Sequence, residues 1–246
     1  MQTLVLDLGN TAAKYGCFQA GQIQDAGKLA TPSELQILVQ RWQPEWAIVS
    51  SVAANSTEWL TALRRGVRRE VLLFEPGATA IPIQNAYGTP HTLGADRLAA
   101  AVGAAYLRPG QPTLIVDAGT ALKYDVVTAD NTFVGGSISP GLRMRLQALH
   151  TFTGRLPKLE LPAPDTLVQL TGTTTASAMW SGVLNGTAQE AQGFVTAYEQ
   201  RYPGLGVLLT GGDASYFATR LQGPIFVVPE LVLLGLYRIL AYHVDK

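Results

Sequence analysis

Two hydrophobic rhythms alternate along this chain. Short apolar runs, "TLVLDL" (3–8), "WAIVSSV" (46–52), "EVLLF" (70–74), "TLIVDA" (113–118) and "GVLLT" (206–210), have the length and continuity of buried strands. Between them lie stretches with apolar residues at helical spacing. "SELQILVQRWQ" puts Leu35, Leu38, Val39 and Trp42 on one face, with Ser33 as the expected N-cap. "TEWLTALRRGV", the alanine-rich "ADRLAAAVGAAYL" opening at Asp96, "GLRMRLQALHTFT" and the long region 173–202 repeat that spacing. Strand alternating with helix predicts an α/β fold.

The two halves open alike. "LDLGNTAAKYG" at 6–16 returns as "VDAGTALKYDV" at 116–126, each after a strand-like run and each leading into a second strand. In the second copy one residue fewer separates aspartate from threonine. Two such openings predict an internal duplication, halves of 1–112 and 113–246 with a cleft between them, the last helix packing back on the first half.

An aspartate ending a strand, followed by Gly and Asn or Thr, makes a tight turn whose amides form a concave nest for anionic oxygens, to which the threonine hydroxyl adds a donor. The aspartate would not touch a phosphate directly; it would hold a cation or its water shell. "TGGD" at 210–213 is a third turn of this kind. Taken singly, each is an ordinary hairpin turn. Neither a G-x-x-x-x-G-K-[ST] loop nor a G-x-G-x-x-G fingerprint occurs, so any nucleotide must bind through the duplicated turns.

Composition narrows the classes. The formal net charge is zero and 15% of residues are charged, so there is no basic stripe for nucleic acid. The apolar tail "VVPELVLLGLYRILAYHV" is broken by Pro229, Glu230 and Arg238; it reads as a buried helix, not a membrane span. One cysteine, Cys17, excludes an internal disulfide, and three scattered histidines give no zinc site. The start carries no cationic secretory leader. These features predict a cytoplasmic protein with no membrane or nucleic-acid partner.

Longer motifs sharpen the picture. "DLGNTAAKYG" (7–16), "YGTPHTLGADR" (87–97), "DAGTALKYD" (117–125), "GGSISPGLRMRLQAL" (135–149), "GTTTASAMWSGVLNG" (172–186) and "LTGGDA" (209–214) run nearly end to end. In this combination the chain resembles the type III pantothenate kinases, within the actin/hexokinase-type ATPase superfamily of duplicated ribonuclease H-like halves.

The resemblance implies ATP-dependent phosphorylation of pantothenate, the first step of coenzyme A synthesis. It implies that Asp7, Leu8, Gly9, Asn10, Thr11, Ala12, Ala13 and Lys14 cradle the ATP phosphates, with Asp7 toward Mg²⁺, directly or through water, and that Thr120 meets ATP. Asp117 would hold a monovalent cation such as K⁺ or NH₄⁺. Gly94, Ala95, Asp96 and Arg97, with Tyr87 and Thr175, would bind pantothenate, Asp96 acting as the base. A homodimer is implied too, with the C-terminal helix and the helix near 175–190 offering contact surface.

The residue chemistry bears on these roles. Asp96 at a helix start is favoured as the carboxylate by the macrodipole, and Arg97 offers a planar fork for a substrate carboxylate. Taken by themselves, Asp96 is a plain N-cap, Arg97 a surface ion-pairing residue, Tyr87 a loop aromatic and Thr175 a helix cap. One departure stands out: Leu122-Lys123-Tyr124 replaces the small hydroxyl residues usual after the second turn. Lys123 is expected to point to solvent; the alternative is that its ammonium reaches the nucleotide or displaces the monovalent ion. The rival functions are a sugar or carboxylate kinase of the same superfamily and a non-catalytic nucleotide-binding regulator.

Overall fold

Residues 1–9, 13–51, 56–163 and 166–244 are described by the computed structural model of the chain. In order, the elements are β1 (Gln2–Leu8), β2 (Ala13–Gln19), β3 (Gln22–Leu29), α1 (Pro32–Trp42), β4 (Trp46–Ser51), α2 (Ser56–Arg64), β5 (Glu70–Phe74), β6 (Gln84–Asn85) and α3 (Ala95–Leu107). There follow β7 (Thr113–Ala118), β8 (Ala121–Val127), β9 (Thr132–Pro140), α4 (Leu142–Thr151), α5 (Thr175–Trp180) and α6 (Gly186–Arg201). The chain ends with β10 (Gly206–Thr210), α7 (Ala214–Ala218), β11 (Ile225–Val227) and α8 (Leu231–Val244). They form two compact units: Met1–Gly110 with Asp130–Val134 and Glu230–Lys246, and Gln111–Ala129 with Gly135–Pro229.

In the first unit the strand order is β3-β2-β1-β4-β5. Leu4, Val5 and Leu6 of the central β1 are fully buried, which is why that run is apolar without alternation. β1 pairs antiparallel with β2 and parallel with β4, and β4 runs parallel to β5. Ala20 and Gly21 both adopt positive φ (49° and 85°), the twist a two-residue hairpin needs, and so turn β2 into β3. β3 carries mostly polar, exposed residues as an edge strand, so it has no apolar run to announce it. The cap of α1 is Thr31 rather than the expected Ser33. Thr31 Oγ1 accepts from Glu34 N at 3.3 Å, while Pro32, which has no amide proton to satisfy, takes the first turn.

α3 and α8 pack together within this unit through small residues. A Cβ at Gly235 would lie 1.7 Å from the Ala99 carbonyl oxygen, and one at Gly103 would lie 2.6 Å from that of Leu231. α8 buries Leu231, Val232, Leu233, Leu236, Tyr237, Ile239 and Leu240. Its apolar face is thus spent inside the first unit. The ring of Tyr237 also stacks on Phe18 of β2, with centroids 4.4 Å apart.

The second unit repeats the order as β9-β8-β7-β10-β11. β7 is its central strand, antiparallel to β8 and parallel to β10, and Leu114, Ile115 and Val116 are buried. β9 begins in the first unit, where Thr132 and Phe133 pair with the two-residue β6. The predicted long helix of 173–202 divides into α5, a π-helical segment at Ser181–Asn185, and α6. β6 and β11 are too short for a sequence pattern to mark.

Candidate active site

Asp7 is the second-last residue of β1, where a strand buried on both faces delivers its last polar side chain. Its antiparallel register partner is Lys14 and its parallel partner is Ser50. The buried Ser50 Oγ donates to Asp7 Oδ1 at 2.7 Å, fixing the orientation of the carboxylate. Ser50 sits in a different apolar run from Asp7, so only the β1–β4 register brings it in. Leu8 and Ala13 face the core and offer a ligand their backbone alone. Asn10, Thr11 and Ala12 lie outside the described residues.

The second candidate segment of the first unit is the start of α3. Gly94 occupies the N-cap position, and Ala95, Asp96 and Arg97 form the first turn. Asp96 is therefore inside the helix rather than its N-cap. Its Oδ1 accepts the Arg97 amide proton at 2.9 Å. A Cβ at Gly94 would lie 2.7 Å from that same oxygen, so glycine leaves the space the carboxylate uses. Arg97 is 5% exposed, against the surface residue its charge alone suggests. Its Nη1 lies 3.4 Å from the Tyr87 hydroxyl and its guanidinium carbon 5.3 Å from the Tyr87 ring centre. Tyr87 in turn stacks on Phe133 at 6.1 Å. Tyr87, Asp96 and Arg97 are thus one cluster.

In the second unit the counterpart of Asp7 is Asp117, near the end of β7. Its antiparallel partner is Lys123 and its parallel partner Thr210, the same scheme of lysine on one side and hydroxyl residue on the other. Here the lysine does not point to solvent: Lys123 Nζ lies 2.6 Å from Asp117 Oδ2, and the two side chains are only 13% and 17% exposed. Gly211 (φ +93°) follows β10, and a Cβ there would lie 2.6 Å from Asp117 Oδ1 and 2.5 Å from the Ala118 carbonyl. Gly141, at the start of α4, leaves no more room, since its Cβ would meet the Gly119 and Thr120 carbonyl oxygens at 2.3 and 2.5 Å. Asp213 N donates to Ala118 O at 2.9 Å, and Arg143 Nη1 pairs with Asp213 Oδ1 at 2.9 Å. Ala118 and Gly119 of the turn, Gly141 and Asp213 surround a shallow concavity also lined by Leu122, Leu142 and Phe217. Thr120 is exposed beside it.

Thr175 is exposed and opens α5, while the capping belongs to Thr174, whose Oγ1 accepts from Ser177 N at 3.2 Å. Among the described residues no three His, Cys, Asp or Glu side chains cluster as a metal cage. A single strand-end carboxylate such as Asp7 suits a divalent ion carried mainly by phosphate oxygens and water.

The family model for type III pantothenate kinases matches residues 3–197. The type III pantothenate kinase of Cytophaga hutchinsonii is 44% identical over 243 residues, 98% of this chain and 99% of that one. The chain belongs to the type III pantothenate kinase family. Another member, from Phocaeicola vulgatus, is 40% identical across 99% of both chains. Among solved structures, a ROK hexokinase from Thermus thermophilus aligns with the whole chain at a TM-score of 0.54 and 15% identity. That likeness identifies the fold as the actin/hexokinase type, in accord with the repeated strand order. No helix among the described residues of this family member is long and apolar enough to cross a membrane.

Proposed function

We propose that this protein transfers the γ-phosphoryl group of ATP to the terminal primary hydroxyl of pantothenate, the first step of coenzyme A synthesis. The reading rests chiefly on one observation, the full-length match to type III pantothenate kinases together with the cluster that its "GADR" segment forms. Asp96 accepts the hydroxyl proton as the new oxygen–phosphorus bond forms and the bond to the departing ADP oxygen breaks. The transition state of phosphoryl transfer is loose, so orientation and charge neutralisation matter more than a strong base. Arg97, held against Tyr87, presents its guanidinium to the substrate carboxylate. Gly94 and Ala95 bring backbone close to the acceptor, and Thr175 adds an exposed hydroxyl.

The Asp7–Lys14 segment and Thr120 carry the ATP-binding role, through backbone amides and hydroxyl donors. Mg²⁺ bound with ATP would neutralise phosphate charge, with Asp7, oriented by Ser50, holding its water shell. The protein acts as a cytoplasmic homodimer in this reading, which sedimentation checks directly.

Turnover of Asp96→Asn beside wild type, with ATP and a panel of acceptor alcohols, tests the assignment. A base contribution of general-acid–base size predicts a fall in kcat of about 10²- to 10⁴-fold with an unchanged circular dichroism spectrum. Near-normal turnover by Asp96→Asn would move the base elsewhere. Preference for a sugar over pantothenate would replace the substrate.

A further inference from the structure

The pairing of Lys123 with Asp117 bears on the ion that the family resemblance implies at Asp117. The ammonium lies 2.6 Å from Oδ2 and is largely withdrawn from water, and the Gly211 backbone closes on Oδ1. The pair is not a chance meeting of surface side chains. The β7–β8 register makes the two residues direct cross-strand partners, and the Asp-x-Gly turn fixes that register. A free monovalent cation touching the same carboxylate would sit on the order of 4 Å from Nζ. Repulsion between two unit charges at that distance weakens binding by roughly a thousandfold when the effective dielectric constant is about 20. A dissociable ion therefore does not fit this carboxylate as it stands.

A bare carboxylate beside a phosphate-binding turn would also repel the nucleotide. Lys123 removes that charge without any ion from solution. We infer that Lys123 is a tethered counter-ion, its ammonium standing permanently where a monovalent cation would otherwise neutralise Asp117, so that ATP binding by this chain is independent of K⁺ and NH₄⁺. The inference rests on the ATP-dependent kinase reading and concerns the same turn.

The test measures ATP affinity by calorimetry in potassium, ammonium and tetramethylammonium chloride at equal ionic strength, for wild type, Lys123→Ala and Lys123→Thr. Melting temperatures without nucleotide are taken in the same salts. Wild-type affinity should agree across the three salts within about twofold, the scale of ordinary surface screening differences. Lys123→Ala in tetramethylammonium should lose roughly tenfold or more, because the carboxylate is left unpaired, and should regain most of it in potassium or ammonium.

Wild-type ATP affinity that depends on potassium overturns the inference, as does a variant that binds ATP undiminished in tetramethylammonium. A folded variant that neither ion rescues assigns Lys123 a packing role and overturns it as well. If wild type binds no ATP in any salt, the kinase reading fails instead. The melting temperatures then decide the counter-ion question: potassium should raise that of Lys123→Ala and leave wild type unmoved, and the reverse result overturns it. Should the variants not fold, the wild-type comparison alone decides.

Discussion

Arg97 carries a charge into a place where only 5% of its surface stays exposed, and such a group persists only when it is held. The Tyr87 ring and hydroxyl hold it from one side, and Phe133 backs the tyrosine. A lysine at this position would keep the charge and lose the planar fork and the stacking. Arg97→Lys should therefore raise the KM for pantothenate by roughly tenfold or more, the scale of a lost bidentate contact, with a much smaller change in the KM for ATP. Steady-state kinetics with each substrate varied separately checks the split; equal losses for both would make Arg97 a structural residue. The sequence flagged Asp96 and Arg97 only through the longer family pattern. Alone, a helix-start Asp-Arg is commonplace, and nothing local says that the arginine is buried. Ser50 escaped notice altogether because its importance comes from a neighbour in another strand.

Elements meet through what they lack as well as what they carry. At the α3–α8 crossing Gly235 lets one backbone touch the other, and an added methyl would fall 1.7 Å from the Ala99 carbonyl oxygen. Gly235→Ala must push the helices apart, with an expected loss of about 2–3 kcal/mol and a melting temperature lower by roughly 5–10 °C. Gly193, exposed in the middle of α6 with nothing within 4 Å of its would-be Cβ, is the contrast. Gly193→Ala should be neutral or stabilising by about 0.5–1 kcal/mol through helix propensity. Thermal melts of both variants check the pair, and equal shifts would contradict close packing at Gly235. Sequence marked the helices by their periodicity. It did not mark β3, β6 or β11, because an exposed polar edge strand and strands of two or three residues leave no apolar rhythm.

At the scale of the whole molecule, acid stability should depend on one polar knot in the second unit. Glu190 of α6 accepts from Ser139 Oγ of β9 at 2.6 Å, from Arg145 Nη2 of α4 at 2.6 Å and from Tyr124 OH of β8 at 3.2 Å. Burial pushes the Glu190 carboxyl up, but the bonds from Ser139 and Arg145, the Arg145 charge and the Tyr124 hydroxyl outweigh it and hold it below the ordinary value. Burial and the adjacent Glu190 carboxylate push the Tyr124 hydroxyl up, so it remains a donor. A depressed carboxyl adds stability that is present above its unfolded pKa, about 4.3, and is lost as pH falls through the lower folded value. Glu190→Gln should thus be less stable than wild type at neutral pH, and the gap should close as pH drops below about 4. Urea midpoints at both pH values check it, and a gap constant with pH would remove the carboxylate from the argument.

The sequence by itself determined the α/β alternation, the doubled Asp-Gly turn and the family, because strand and helix periods and turn chemistry are local and the motifs are contiguous. The tertiary structure decided what depends on register and on the chain's return. It paired Lys123 with Asp117 and Ser50 with Asp7, buried Arg97 under Tyr87, and spent the apolar face of α8 on α3. Those outcomes turn on which strands lie side by side and where glycines let backbones touch, and both are settled by packing between distant segments.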